Sequence, residues 1–160
     1  MPSAERSLQS LQDQTGTKNI PGSWYRVEQK QINQFADVSL DHNYIHTDPE
    51  LAAKSPFKAT IAHGFLTLSL ISHLIRSIPW IKELFEESVL TINYGLDRVR
   101  FISPVKAGFR IRARSRVLEA KLKDSQTLFL KQKVTVEAEG KDKPVCEAVW
   151  ILHLIFSENE

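Results

Sequence analysis

"ATIAHGFLTLSLI", residues 59–71, sets a His-Gly pair in front of an almost unbroken apolar run, and its reading decides the architecture. Three readings compete: a membrane span, an ordinary core helix, or a buried helix whose first turn faces a substrate. The run over 65–78 is interrupted by Thr67, Ser69, Ser72, His73, Arg76 and Ser77 and stops at Pro79. That falls short of the ~20 apolar residues a bilayer crossing needs. Taken as a helix over 63–78, roughly 24 Å long at 1.5 Å per residue, it stacks Leu66, Leu70, Leu74 and Ile78 on one face. Leu68, Ile71 and Ile75 then lie on neighbouring faces. A helix apolar nearly all round has to be enclosed by other structure. The spacing predicts a wrapped core helix.

The wrapping follows in the chain. From Ser88 onward the apolar pattern changes to period two, and 89–94, 99–102, 109–121, 127–137 and 145–156 read as strands. Breaks fall at Gly95, at 104–108, at 123–126 and at 140–144; such hairpin-like connections predict an antiparallel sheet. The last strand is apolar on both faces and should lie centrally. Upstream, residues 3–14 are polar with Leu8 and Leu11 on one helix face, while Gly16, Pro21 and Gly22 mark irregular chain. Residues 24–27 read as a short strand, 29–38 as a helix and 39–47 as a polar loop. Asp48-Pro49-Glu50 opens a further short helix with an N-cap residue, a proline in the first turn and an acid. The expected fold is α+β: a long buried helix gripped by a curved antiparallel sheet of about five strands, the hotdog arrangement.

A chain of 160 residues with net charge +2, 25% charged and 42% hydrophobic side chains is that of an ordinary globular protein. It divides into a strap or flexible segment over 1–22 and a single domain over 23–160. "MPSAERSLQSLQDQ" offers no apolar stretch for a secretory signal. Cys146 is the only cysteine, so no internal disulfide forms and a reduced, cytoplasmic setting is expected.

Chemistry concentrates in "DVSLDHNYIHTD", residues 37–48. Asp41 and His46 make an acid/base pair, one ionised at neutral pH and one titrating near it, able to converge on one water. The residue types also allow Asp41, Asn43 and Asp48 to do no more than cap turns. His63-Gly64 opens the core helix, where free backbone N–H groups and the positive dipole end can hold an oxyanion, and glycine lets a ligand approach closely. His42 and His46 have zinc spacing only if their segment is helical, and "LDHNY" is a poor helix interior, so no metal is expected. Neither a G-x-S-x-G elbow nor a glycine-rich phosphate loop occurs. Residues 97–123 hold nine basic and two acidic side chains, a local +7, with Arg110, Arg112, Arg114 and Arg116 on one strand face. These fit a solvated outer sheet face or attraction of an anionic cofactor such as coenzyme A phosphates. Nucleic-acid binding is not expected, because no aromatics interleave with the stripe. His73 and His153 read as core histidines and Cys146 as packing.

With those residues in view, the sequence resembles the MaoC-like dehydratase family, the (R)-specific enoyl-CoA hydratases, and within it the branch containing nodulation protein N. The family pairs an Asp with a His five residues on in a G-D-x-N-P-x-H-like string, which stands here as "LDHNYIH" over 40–46 followed by Thr47-Asp48-Pro49. A second block, 55–66, matches its P-F-x-x-x-I-A-H-G segment, and "INYGLDRVRFISPVKAG" over 92–108 is a third. The resemblance spans roughly 23–156. It implies Asp41 and His46 as catalytic residues and Gly64 as the oxyanion-hole amide. It also places Asn43, Tyr44 and His63 on the substrate and Ser72 in the acyl pocket. Two positions depart from the pattern: Leu40 stands for the usual glycine or acid, and Tyr44 for the usual proline.

The implied activity is hydration of trans-2-enoyl-CoA to (R)-3-hydroxyacyl-CoA and the reverse dehydration, in fatty-acid metabolism. No cofactor is needed beyond the coenzyme A of the substrate itself. An acyl-thioester binder or a thioesterase of the same fold is the alternative. Unblunted strand formers such as "VLTINY" over 89–94 leave an edge open to pairing, and the resemblance implies a homodimer. Neither a nucleic-acid nor a membrane partner is expected.

Overall fold

The computed structural model describes residues 3–14 and 19–157; Gly16 and the outer ends of the two predicted segments lie outside the described residues. The elements in order are α1 (Ser3–Gln14), β1 (Tyr25–Arg26), α2 (Gln29–Ser39), α3 (Tyr44–Thr47), α4 (Pro49–Lys54) and α5 (Gly64–Leu74). A 3₁₀ turn (Ile75–Ser77), α6 (Pro79–Glu87), β2 (Leu90–Phe101), β3 (Arg110–Leu122), β4 (Thr127–Ala138) and β5 (Cys146–Ile155) complete it.

The five strands form one antiparallel sheet in the order β1-β3-β4-β5-β2. Strict alternation makes it one-sided: Leu128, Leu130, Val134 and Val136 of β4 are buried on the core face, and between them point Lys131, Lys133 and Thr135. β5 is interior, flanked by β4 and β2, as its apolar sequence requires. α5 lies across the concave face with Leu66, Thr67, Leu70, Ile71 and Leu74 buried. α1 adds Ala4 and Leu11 to the same core, and Ser7 Oγ donates to Glu87 Oε2 at 2.9 Å, tying α1 to α6. Among the described residues no single helix is long and apolar enough to cross a membrane.

Four sequence expectations need correction. The core helix runs as α from Gly64 to Leu74 and then tightens to 3₁₀, and it is not enclosed all round: Phe65 is 69% exposed and Ser72 open. The sheet of one chain covers only the side of a helix that faces it. Pro79, expected only to stop the core helix, opens α6 (Pro79–Glu87), which buries Trp80, Ile81 and Leu84. A proline that stops one helix also starts another well, since the first turn has no use for its missing N–H. The predicted break at Gly95 is absent. β2 is continuous, with register shifts at 93/95 and 96/98, bulges that coil the strand around the helix. Finally, 39–47 is not all loop: Asn43 Oδ1 accepts from Ile45 N–H at 3.3 Å and starts the single turn of α3.

Candidate active site

The site is assembled by the chain reversing after α2. Leu40 at its end takes the left-handed conformation, φ 62° and ψ 17°, with its side chain 82% exposed. A Cβ is unfavourable there, which is the physical reason a glycine suits this position. Tyr44, the other departure, begins α3, where a proline's fixed φ would fit equally well. Asp48 caps α4, its Oδ1 accepting from Glu50 and Leu51 N–H at 3.0 Å each, so for Asp48 and Asn43 the turn-capping reading is the observed one, and Asp41 Oδ1 makes a longer contact of the same kind with the Asn43 N–H at 3.4 Å. The 41–48 segment is then stapled to 60–62. Ile61 N–H donates to the Ile45 carbonyl at 3.0 Å, and Ala62 N–H donates to Val105 O at 2.7 Å. Gln29 Nε2 donates to the His46 carbonyl at 2.7 Å and its Oε1 accepts from Thr60 Oγ.

This stapling brings Asp41, His46 and His63 together: one potential ligand atom from each lies within 4.8 Å of the other two. The imidazoles are buried, His46 8% and His63 3% exposed, and stack with centroids 3.8 Å apart and planes 25° apart. Phe35 of α2 packs on His63 with centroids 5.0 Å apart. His46 Nδ1 is 2.7 Å from the Ile61 carbonyl and His63 Nε2 is 2.9 Å from the Asp41 carbonyl. A carbonyl only accepts, so each of those nitrogens carries the proton, and His46 Nε2 and His63 Nδ1 are left as lone pairs. Burial holds the His46 pKa below its ordinary value; the bond to Ile61 opposes this, the neighbouring His63 adds to it, and the Asp41 charge opposes it again. His46 is a neutral base at physiological pH. By distance the same trio is also a possible metal-ligand set, with His63 in the place that the sequence spacing gives to His42. His42 sits outside the cluster, 3.7 Å from Asp37.

Gly64 is the first residue of α5, beside this cluster, and the amides of a first helical turn lack intrahelical partners. A Cβ on Gly64 would lie 2.9–3.1 Å from ring atoms of Phe101, so only glycine leaves this amide accessible without moving that ring. A cavity of about 280 Å³ opens here between Ile61, Gly64, Thr67, Phe101 and Pro104. One turn further along α5 a second cavity, about 320 Å³, is lined by Leu68, Ser69, Ser72, Asn93, Leu96 and Trp150, where Trp150 Nε1–H donates to Asn93 Oδ1 at 2.7 Å. Ser72 belongs to this second cavity.

The arginine stripe lies on the opposite face of the sheet. Arg110 pairs with Glu139 at 3.0 Å, Arg112 and Arg114 share Glu137, and Arg112 stacks over Trp24 at 4.3 Å. Three of its four cations are thus ion-paired, with two carboxylates between them. His73 is exposed, not a core residue, and meets Tyr25 edge-on; His153 is buried on the outer sheet face under Tyr94. Cys146 packs in the core with its thiol pushed up to about 11 by burial. Gln29, Phe35, Thr60 and the Ile61 carbonyl carry no signal in the sequence, since they act through backbone groups or as packing.

A helix N-terminus set beside a carboxylate and a neutral imidazole, on a curled five-stranded antiparallel sheet, defines a hotdog-fold protein of the hydratase and dehydratase class. Residues 10–139 match the MaoC like domain. The chain belongs to the MaoC-like dehydratase family. It is 42% identical to nodulation protein N of Rhizobium leguminosarum bv. viciae over 158 residues, covering 98% of this chain and 96% of that one. To the 3-hydroxyacyl-thioester dehydratase Z of Mycobacterium tuberculosis it is 40% identical over 149 residues, covering 93% and 96%. Its structure is similar to that of the unliganded R-hydratase PhaJ1 of Pseudomonas aeruginosa, with TM-score 0.67 and 27% identity over 88% of this chain and 82% of that one.

Proposed function

We propose that the protein interconverts trans-2-enoyl-CoA and (R)-3-hydroxyacyl-CoA by reversible addition of water. The observation that carries the reading is that the cluster beside Gly64 brings the Asp41 carboxylate and a ring nitrogen of His46 within 4.8 Å of each other. A site of acceptors is filled by a donor of two hydrogens, and water is the simplest one. Asp41 accepts one proton as the water oxygen bonds to C3, the second hydrogen stays on that oxygen as the product hydroxyl, and the accepted proton passes by way of His46 to C2. Net H and OH add on one face of the double bond, and the pair returns to its starting state. Charge that gathers on the thioester oxygen meets the Gly64 amide at the positive end of α5; removing one such donor typically costs ~10²–10³ in rate. The cavity lined by Leu68, Ser72 and Leu96 takes the acyl chain. The dehydratase and R-hydratase relatives support the reading. A role in fatty-acid metabolism and a cytoplasmic location, in keeping with the lone thiol, accompany it.

The test is loss of enoyl absorbance with crotonyl-CoA. Asp41→Asn and His46→Gln each lower turnover strongly while the circular dichroism stays that of the parent. Parental rates in both variants overturn the assignment, and release of free coenzyme A, read with a thiol reagent, makes the protein a thioesterase.

The same reading includes a homodimer. β2 is an edge strand and exposes Leu90, Ile92, Tyr94, Leu96 and Phe101, and Phe65 lies open beside Phe101. Apolar side chains along an unpaired edge favour pairing with a second copy. Sedimentation at about twice 18.3 kDa is the expected result; a fully active monomer refutes it.

A further inference from the structure

His63 touches both members of the pair without being one of them. Its Nε2–H holds the Asp41 carbonyl at 2.9 Å across 22 residues of sequence, and its ring covers one face of His46 at 3.8 Å. Phe35 packs against its ring in turn. The remaining ring nitrogen, Nδ1, is buried with no hydrogen-bond partner. An unsatisfied buried polar atom costs about 1–3 kcal/mol, whereas a phenyl ring of similar shape packed against Phe35 would carry no such penalty. The imidazole therefore has to do something at this position that a hydrocarbon ring does not.

We infer that His63 is a positioning residue of the Asp41–His46 pair: its Nε2–H anchors the backbone that aims the Asp41 carboxylate, and its stacked ring fixes the plane of His46. The anchor matters because Asp41 follows Leu40, whose left-handed backbone and exposed side chain give the loop little else to rest on. Besides His63, Asp41 has two long contacts among the described residues, its amide to Ser39 Oγ and its Oδ1 to the Asn43 N–H, each 3.4 Å. The stack matters because His46 is held within its own plane by a single bond, to Ile61. It also opposes protonation of His46. The titratable groups acting on that ring are Asp41, from the turn after α2, and His63, from the start of α5; the first favours the charged form and the second disfavours it.

The inference rests on the hydratase reading, and two variants separate its parts. His63→Phe keeps the stack and drops the donor; kcat falls roughly 100-fold, the usual scale for a misaimed catalytic group, with a much smaller change in KM. His63→Gln places a side-chain N–H near the old Nε2 and recovers about tenfold of that loss. Because it removes an imidazole facing His46, it moves the acid limb of kcat/KM to higher pH. A purely structural role moves neither the kcat-against-KM split nor the pH limb. A kcat for His63→Phe within about twofold of the parent, or an unmoved acid limb in His63→Gln, overturns the inference. If Asp41→Asn and His46→Gln abolish turnover while the His63 variants retain it, this inference alone fails. Should the parent show no hydratase activity, or should the variants not fold, nitrogen-15 correlation spectra of the parent imidazoles decide. The expected tautomers are Nε2–H for His63 and Nδ1–H for His46; an Nδ1–H tautomer for His63 refutes the anchor.

Discussion

Replacing Gly64 by alanine separates the amide's chemical role from its structural one. The new Cβ would sit 2.9, 3.0 and 3.1 Å from three ring atoms of Phe101, against an optimum near 3.5–4.0 Å for carbon contacts, so the ring or the helix must move by roughly half an ångström. Overpacking of a closed core costs about 1–3 kcal/mol. Phe101 is 48% exposed and able to yield, which puts the cost at the low end. Alanine in place of glycine returns up to about 1 kcal/mol through helix propensity, less in the first turn. The two nearly cancel, and the urea midpoint should correspond to a stability within ~1 kcal/mol of the parent.

Activity follows a different sum. The methyl group occupies the approach to the amide, and a lost oxyanion donor is worth about 2.7–4 kcal/mol. Gly64→Ala is therefore expected to lower kcat/KM for crotonyl-CoA by ~10²-fold or more, in a protein that unfolds almost as the parent does. Adding Phe101→Ala opens the space that the methyl group lacks and should restore part of the lost rate, a coupling that a double-mutant cycle reads directly. Parental kcat/KM in Gly64→Ala refutes the reasoning. So does a loss of several kcal/mol in stability, which would mean that the ring cannot move and that the glycine serves packing alone.

Three other changes have defined outcomes. Leu40→Asn replaces an exposed leucine at φ 62° by a residue that tolerates the left-handed region, and a gain of roughly 0.5–1 kcal/mol is expected in urea denaturation; a loss refutes the strain. The folded pKa of His46 lies below its unfolded value of about 6.5, so the unfolded chain takes up the proton first as pH falls. Its stabilising contribution is present above that value and is lost as pH falls from it toward the folded pKa. Stability measured across this window should decline less steeply in His46→Gln than in the parent, and equal slopes count against the buried neutral imidazole. Cys146, buried and raised to about 11, should resist a thiol reagent in the native protein near pH 8 and react only at the unfolding rate; fast native labelling contradicts the packing.

The sequence disclosed the fold where one periodicity governed one element. β4 alternates throughout and β3 as far as Val117, β5 is apolar on both faces as an interior strand is, and the helix from Gly64 has its stripe of leucines. It failed where a single residue served two elements or none. Pro79 closes the 3₁₀ turn and opens α6, and Gly95 sits in a bulge where nothing comes within 4 Å of its missing Cβ, so a break signal stood inside a continuous strand. The all-round apolar character of α5 predicted full enclosure, yet Phe65 and Ser72 lie open. The periodicity records that a face is apolar, not which chain covers it.

The site was legible in its residue types but not in its construction. Asp41 and His46 stand out as an acid and an imidazole five apart in a turn-rich segment, although composition alone allows Asp41 a turn-capping role, and it makes such a contact with the Asn43 N–H at 3.4 Å. What aims them is written in backbone groups: the Ile61 carbonyl that fixes the tautomer of His46, and the Asp41 carbonyl that receives His63. Every residue carries a carbonyl, so no side-chain pattern marks which one is used, and both contacts span 15 or more positions. The resemblance places His63 on the substrate, and the structure adds that its ring also reaches back to the loop. The two neighbours divide the work at one helix start. Gly64, lacking a side chain, leaves a first-turn amide uncovered, which the proposed mechanism uses for charge on the substrate, and His63, one position earlier at the N-cap, turns its ring toward the loop. The order His then Gly thus places the anchoring ring at the N-cap and the bare amide in the first turn of α5.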